Sequence, residues 1–451
     1  MEIDLLREYN PWWHGPHSVI PDKFLILRDL YHSIAPVALN LEDRRAVSIA
    51  GPRQVGKTTL IKQLLQTAID DGHPSDRVVY LTHDDFGPHF DSLRRLLDLV
   101  FSQTNLSSDS GPKAIIAIDE IQRFENWDTD LKSFIDREKA KFIITGSAAL
   151  PLTRQASDSL LGRLDEYHLL GLNFKEFLAI RQAGAVRAIE PASIAVEKYF
   201  RIGGFPEHSA NIDEGIAARR IRRDVIEKAL GQDLLGAAEI RKGDSLTRFF
   251  TFLVRNAGSI LNKEKLANEA GINRKQVDRW LQLLRDADLI YSVNNFAIDG
   301  QPKPRGKPKI YPSDPGISAA FSFGATPPPY GQLAECAVLR HLINQLSLMM
   351  PGVPEEIGYW RKGESREVDF VGTFSGQQCV FEVTTSRKSS VLKKKLETLE
   401  FFRKKELASK AFLISSKGGI DFKADVQGIF TLSFQEFFQL CCTGNLTEVG
   451  Q

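Results

Sequence analysis

The stretch Gly51-Pro52-Arg53-Gln54-Val55-Gly56-Lys57-Thr58 sets two glycines, a lysine and a threonine at the spacing of a phosphate-binding loop. Glycines let successive backbone N–H groups close on phosphate oxygens, and a helix beginning at the loop adds partial positive charge. In such a loop Lys57 reaches the β- and γ-phosphates of ATP, Thr58 ligates Mg²⁺, and the cradle runs from Gly51 to Thr59. The bland alternative is a turn with a chance Gly-Lys-Thr. Further on, the apolar run Ala114 to Ile118 ends in Asp119-Glu120. There Asp119 would hold Mg²⁺, directly or through water, and Glu120 would polarise the attacking water. Thr145, closing the run Lys141 to Ile144, is placed to meet the γ-phosphate or that water.

This chemistry needs elements that position it. Ala46 to Ala50 is a short β-prone run and Thr59 to Ile69 reads as a helix, so the loop has a strand before it and a helix behind it. Val78 to Leu81 is a second strand, with Asp84 and Asp85 at its end. The apolar runs at 114–118 and, after Lys141, at 142–144 fit parallel strands covered on both faces. Strands alternating with helical stretches argue a parallel sheet with its ligand at the strands' carboxyl ends. Two adjacent acids at a strand end are commonly a solvated loop; behind a phosphate loop they read as catalytic. A helix is expected around Phe24 to Ile34. In the leader, Trp12 and Trp13 either pack on the first domain or stack a base, and packing is the ordinary fate of tryptophan.

Asp119-Glu120-Ile121-Gln122-Arg123, Trp127, Thr145-Gly146-Ser147, Leu161-Gly162-Arg163 and Leu170-Gly171-Leu172-Asn173-Phe174-Lys175-Glu176-Phe177 together resemble a prokaryotic AAA-type ATPase family. Its members couple this core to a C-terminal region of poorly defined function. Gly203-Gly204-Phe205-Pro206-Glu207 is similar to the family's Gly-Gly-aromatic-Pro signature, while Gly171 stands where a proline is usual. The resemblance runs from about residue 20 to 415. It implies that Arg163 is a sensor or arginine finger, in its own or a neighbouring subunit. A guanidinium there stabilises charge on the γ-phosphate; a surface ion pair is the competing reading. The run Arg219-Arg220-Ile221-Arg222-Arg223 is basic enough to touch phosphates, and a solvated helical face is the ordinary reading.

From residue 244 the rhythm changes. A helix ends near Gly258, Asn262 caps a short helix, Gly271 turns, and Asn273 caps a helix through Ala287. Two strands, Leu289 to Val293 and Lys309 to Tyr311, then flank a basic loop. Helix, short helix, turn, helix and two-stranded wing is a winged-helix order. Its second turn helix would offer Arg274, Lys275 and Arg279 to a DNA groove, and Lys303, Arg305 and Lys307 would form the wing. Such modules also dock proteins, and both partners stay open.

After Pro327-Pro328-Pro329, the acids Glu335, Asp369 and Glu382 match the pattern of the restriction-endonuclease-like fold. Thr384, however, stands where the lysine that orients water beside a metal belongs. Lys388 is the substitute considered, and little or no cleavage is expected. Eight Lys/Arg residues between Arg387 and Lys405 make a helix that either follows a phosphate backbone or is a soluble face.

The net charge of +1 predicts no particular partner, so a nucleic-acid surface has to be local. Four cysteines without CxxC spacing argue against a metal or disulfide framework. No stretch approaches the roughly 18 apolar residues of a membrane span, and no secretory signal is visible. A protein of the reducing cytoplasm is expected, with a homo-oligomer as a candidate state. The expected architecture is α/β. An AAA-type P-loop ATPase domain with a parallel sheet covers 1–187 and a helical lid covers 188–243. A winged-helix domain (244–325) and a nuclease-like α/β domain, degenerate in its site (326–451), follow.

Overall fold

A computed structural model describes residues 2–15, 19–20, 26–103, 112–137, 140–147, 160–183, 191–209, 213–234, 243–296, 306–322, 328–349, 357–362, 366–405, 407–416, 427–443 and 446. The chain divides into two compact units, Met1–Leu170 and Gly171–Gln451. The first unit holds the phosphate loop. Among the described residues no helix is long and apolar enough to cross a membrane.

In the first unit, α1 (Glu2–Tyr9) and α2 (Asp29–Ala38) precede β1 (Ala46–Gly51) and α3 (Lys57–Asp70). Then come β2 (Val78–Thr82), α4 (Leu93–Gln103), β3 (Ala114–Asp119), α5 (Trp127–Ile135), β4 (Ala140–Ser147) and β5 (Leu164–His168). The strands form one parallel sheet in the order β2-β3-β4-β1-β5. The apolar runs are explained by their two-sided burial. Ile115, Ala117 and Ile143 enter a core with Leu60, Ile61, Leu64 and Leu65 of α3. Their neighbours Ile116, Ile118 and Ile144 enter a separate core with Leu93, Leu96 and Leu97 of α4 and Leu131 of α5. β5 was not anticipated: its burial is only partial and its sequence, Leu-Asp-Glu-Tyr-His, carries no apolar run.

The leader packs. Both Trp12 and Trp13 donate their indole N–H to the Val78 carbonyl, at 2.8 and 2.9 Å. Asn10 accepts from the Tyr80 N–H at 2.6 Å and donates to its carbonyl at 3.2 Å. One amide side chain thereby satisfies part of the open edge of β2.

The second unit contains α6 (Phe174–Ala183), α7 (Ala192–Ile202), α8 (Glu214–Arg220), α9 (Gly243–Arg255), α10 (Lys263–Ala270) and α11 (Arg274–Asp286). β6 (Ile290–Asn295), β7 (Lys309–Pro312), α12 (Pro315–Ser322), α13 (Tyr330–Met349), β8 (Ile357–Lys362), β9 (Arg366–Phe374) and β10 (Gln377–Thr384) follow. α14 (Ser389–Lys404), β11 (Lys410–Ser415), β12 (Ile429–Ser433) and α15 (Phe434–Thr443) complete it. Its mixed sheet has the order β12-β11-β10-β9-β8-β6-β7. The β6–β7 hairpin joins it through parallel pairing of β6 with β8.

The Gly-Gly signature has a steric cause. Asp314 is buried and accepts from the Gly204 N–H at 2.9 Å and the Gly316 N–H at 2.8 Å, with Arg340 Nε 3.7 Å away. A Cβ on Gly203, whose φ is +77°, would fall 1.8 Å from Asp314 Oδ1, and one on Gly204 would fall 2.6 Å from the Leu172 carbonyl oxygen. Only glycine fits both positions.

Candidate functional site

The loop after β1 alternates handedness: Gln54 has φ +61° and Gly56 φ +100°. Such alternation curls successive N–H groups toward one point, an anion nest. Gly51 is pressed against the exit of the neighbouring strand β5, since a Cβ there would lie 2.2 Å from the Leu169 carbonyl oxygen. Lys57, only 6% exposed, donates to the carbonyls of Gly51 (2.8 Å) and Pro52 (3.0 Å), which fixes its ammonium at the loop. Arg28, overlooked in the sequence, braces the loop from outside. It donates to the carbonyls of Val55 at 3.0 Å and Leu170 at 2.9 Å. In a trans peptide the N–H opposes the C=O, so anchoring the Val55 carbonyl turns the Gly56 N–H the other way.

Asp119 is the hub of the site. Its Oδ2 accepts from Thr58 Oγ1 at 2.5 Å and from the Tyr80 hydroxyl at 3.1 Å, and its Oδ1 accepts a short bond from Thr145 Oγ1. Strand order makes this possible, because β4 lies between β1 and β3 and β2 flanks β3. Burial, and then the Asp119 charge, push the Tyr80 phenol upward, so it stays a protonated donor. Thr145 also accepts from the Glu120 N–H at 3.2 Å, and Gln122 Nε2 donates to Glu120 Oε2 at 2.6 Å. Glu120 has φ +55°, in the left-handed region where a non-glycine residue is strained. The oxygen-only pair of Thr58 and Asp119 suits Mg²⁺. Lys57, Thr58, Asp119, Glu120 and Thr145 are therefore brought together; Tyr80, Arg28 and Gln122 join them.

Arg163 is elsewhere. Its carbonyl accepts from the Ala46 N–H at 2.9 Å, at the start of β1, whereas the phosphate loop leaves the strand's other end. A strand of that length spans about 17–20 Å at ~3.3 Å per residue, beyond the reach of the side chain. Arg163 instead pairs with Asp136 at 2.8 Å. The expectation that it touches ATP in its own chain is thus corrected.

In the second unit, Arg274, Lys275 and Arg279 are exposed on α11, whose capping box at Asn273 and Gln276 sets the helix start. Lys303 and Arg305 fall outside the described residues; Lys307 is exposed. The run at Arg220–Arg223 is ion-paired, Arg223 to Asp224 at 2.7 Å and Arg222 to Glu227 at 3.2 Å. Asp369 on β9 and Glu382 on β10 are buried side by side. Thr384 is buried and accepts from the Ser386 N–H, and Lys388 is exposed before α14. Neither supplies the missing lysine. Lys395 of α14 enters instead, donating to Asp369 Oδ2 at 2.8 Å and, in a shorter bond, to Glu382 Oε2. Against burial, the two carboxylates hold the ammonium well above its ordinary value. Burial opposes ionisation of Asp369 too, yet Lys395 and Lys309 bring it below the usual carboxylate range. Burial and the Asp369 charge push Glu382 up. Glu335 is pushed up to about 7 by burial and by Asp369, and it accepts from the Tyr311 hydroxyl at 2.9 Å. A signal for Lys395 was present: it lies three residues from Leu392 and four from Leu399, on the buried face of its helix.

Residues 43–178 match the family model described as "AAA domain". Residues 194–327 and 330–434 match two models described as domains of unknown function, DUF8612 and DUF4143. An uncharacterized protein of Methanocaldococcus jannaschii is 26% identical over 349 residues, covering 74% of each chain. One of Haemophilus influenzae is 25% identical over 345 residues, covering 74% of this chain and 82% of its own. Among solved structures, Aeropyrum pernix ORC1 in complex with DNA superposes with a TM-score of 0.33 at 14% identity, over 68% of this chain and 96% of that one. AMPPCP-bound DnaA from Aquifex aeolicus gives a TM-score of 0.31 at 16% identity, over 57% and 88%. Superpositions this loose carry nothing about partners.

Proposed function

We infer that this chain, which carries an AAA-type P-loop ATPase domain ahead of two regions of unassigned function, binds ATP with Mg²⁺ and hydrolyses it. The observation that carries the reading is the convergence of Thr58, Tyr80 and Thr145 on Asp119, with Glu120 next in the chain. The loop N–H groups and Lys57 bind and orient the phosphates. Thr58 and Asp119 would hold Mg²⁺, which offsets charge on the phosphate oxygens when bound. Thr145 positions the Glu120 backbone, and the Glu120 carboxylate takes the proton of the attacking water. Phosphate release by the purified chain is expected with Mg²⁺ and ATP, and its loss on chelation of the metal. Release unaffected by EDTA would remove the metal from the mechanism.

The nucleotide state then controls what the second unit binds. DNA is favoured over a protein partner by the exposed Arg274, Lys275 and Arg279 on one capped helix, ahead of the β6–β7 hairpin. Replacing all three with alanine is expected to weaken DNA binding and to flatten its salt dependence, by roughly one unit of slope for each phosphate no longer neutralised. A binding series in salt measures this. Wild-type protein that leaves DNA unshifted at low salt would transfer the reading to protein docking. Arg163, at the far end of the sheet, keeps a role only toward ATP of a neighbouring subunit.

A further inference from the structure

The nuclease-like reading of residues 326–451 requires a divalent cation between the paired acids, and the donor set does not fit one. Mg²⁺ takes six oxygens in near-octahedral order and keeps several waters. Asp369 Oδ2 already accepts from the Val383 N–H at 2.8 Å and from Lys395. Glu382 is 1% exposed and its Oε2 accepts from the same ammonium. The third acid, Glu335, is engaged by Tyr311. The space between the two carboxylates is taken by a cation that the chain itself supplies.

We propose that the Lys395 ammonium is the resident cation of this centre, occupying the place of a divalent metal, so that the region has no metal-dependent hydrolysis. α14 dictates this. Leu392, Leu396 and Leu399 bury one face of the helix against β9, β10 and β11, which delivers Lys395 between the strands. Lysine is a point charge with three donors, and two of them go to the two acids. A metal arriving there would have to expel the ammonium while lying within a few ångströms of it, and like charges at that range repel strongly. Lys395 thus fastens the helix to both acid-bearing strands, a structural use of a charge pattern that elsewhere serves catalysis. Nothing in this depends on nucleotide chemistry.

The test uses the full chain without ATP and Mn²⁺ alone as the probe, with binding followed by calorimetry. Wild type and Asp369→Asn are expected to bind Mn²⁺ equally, showing no site at Asp369. Lys395→Ala is expected to gain one site at least tenfold tighter than any in the wild type, and Lys395→Ala with Asp369→Asn to lose it. A Lys395→Ala variant that folds without gaining this site overturns the proposal. So does Mn²⁺ binding by the wild type that Asp369→Asn abolishes. Should Lys395→Ala not fold, strand scission by the wild type decides. No cutting of linear or single-stranded DNA in Mn²⁺ is expected, and cutting lost in Asp369→Asn would make Lys395 a catalytic lysine instead. Neither readout involves Lys57 or Glu120, so the ATPase reading stands or falls separately.

Discussion

Glu120→Gln is expected to bind ATP like the wild type and to release phosphate about 10²- to 10⁴-fold more slowly, the usual contribution of a positioned acid–base group. The amide keeps the shape and can still meet Gln122, which donates to Glu120 Oε2 at 2.6 Å, but it cannot take a proton. The backbone at φ +55° is held by the Thr145 hydroxyl and is indifferent to this exchange. Lys57→Ala should behave oppositely. Its ammonium is buried at the loop on two carbonyls, and removing it takes away the charge that meets the phosphates, so binding itself is lost. Fluorescent ATP-analogue titration and phosphate release separate the two effects. Wild-type hydrolysis by Glu120→Gln would show that another group activates the water.

The nucleotide end of the chain was legible because its signals are local. Eight consecutive residues carry the loop, and two apolar runs carry Asp119 and Thr145 to the carboxyl end of the sheet. What escaped was long-range. Tyr80 is 39 residues from Asp119, and Arg28 is 142 from Leu170; nothing in spacing links such pairs. Arg163 was misplaced for a related reason. The motif that contains it precedes β5, a weakly patterned edge strand, and only its pairing with β1 reveals which end of the sheet Arg163 occupies. Lys395 was hidden in a different way. Eight basic residues in one stretch read as a single charged face, whereas the helix's apolar period puts one lysine inside. In the second unit the Gly-Gly signature was recognised but not its cause, which is a side chain 110 residues away.

That side chain makes the second large effect. Asp314→Ala is expected to destabilise the second unit by about 3–5 kcal/mol, the range for removing one member of a buried ion pair. Asp314 and Arg340 have side chains 5% and 1% exposed, so water cannot take the place of the missing partner. The Gly204 and Gly316 N–H groups lose their acceptor as well, and a buried donor left unsatisfied costs about 1–3 kcal/mol. These terms share one site and do not add. Asp314→Asn keeps an acceptor for one of the glycines and removes the charge, so its loss should be smaller than that of alanine. With two compact units in the chain a single melting curve is not a two-state transition, so hydrogen exchange is the better measurement. Faster exchange is expected in peptides spanning Gly204 and Gly316, with the amides of β1 and α3 unchanged. Protection at Gly204 and Gly316 equal to wild type in Asp314→Ala would mean that the Gly-Gly turn is held by its neighbours' packing and not by this carboxylate.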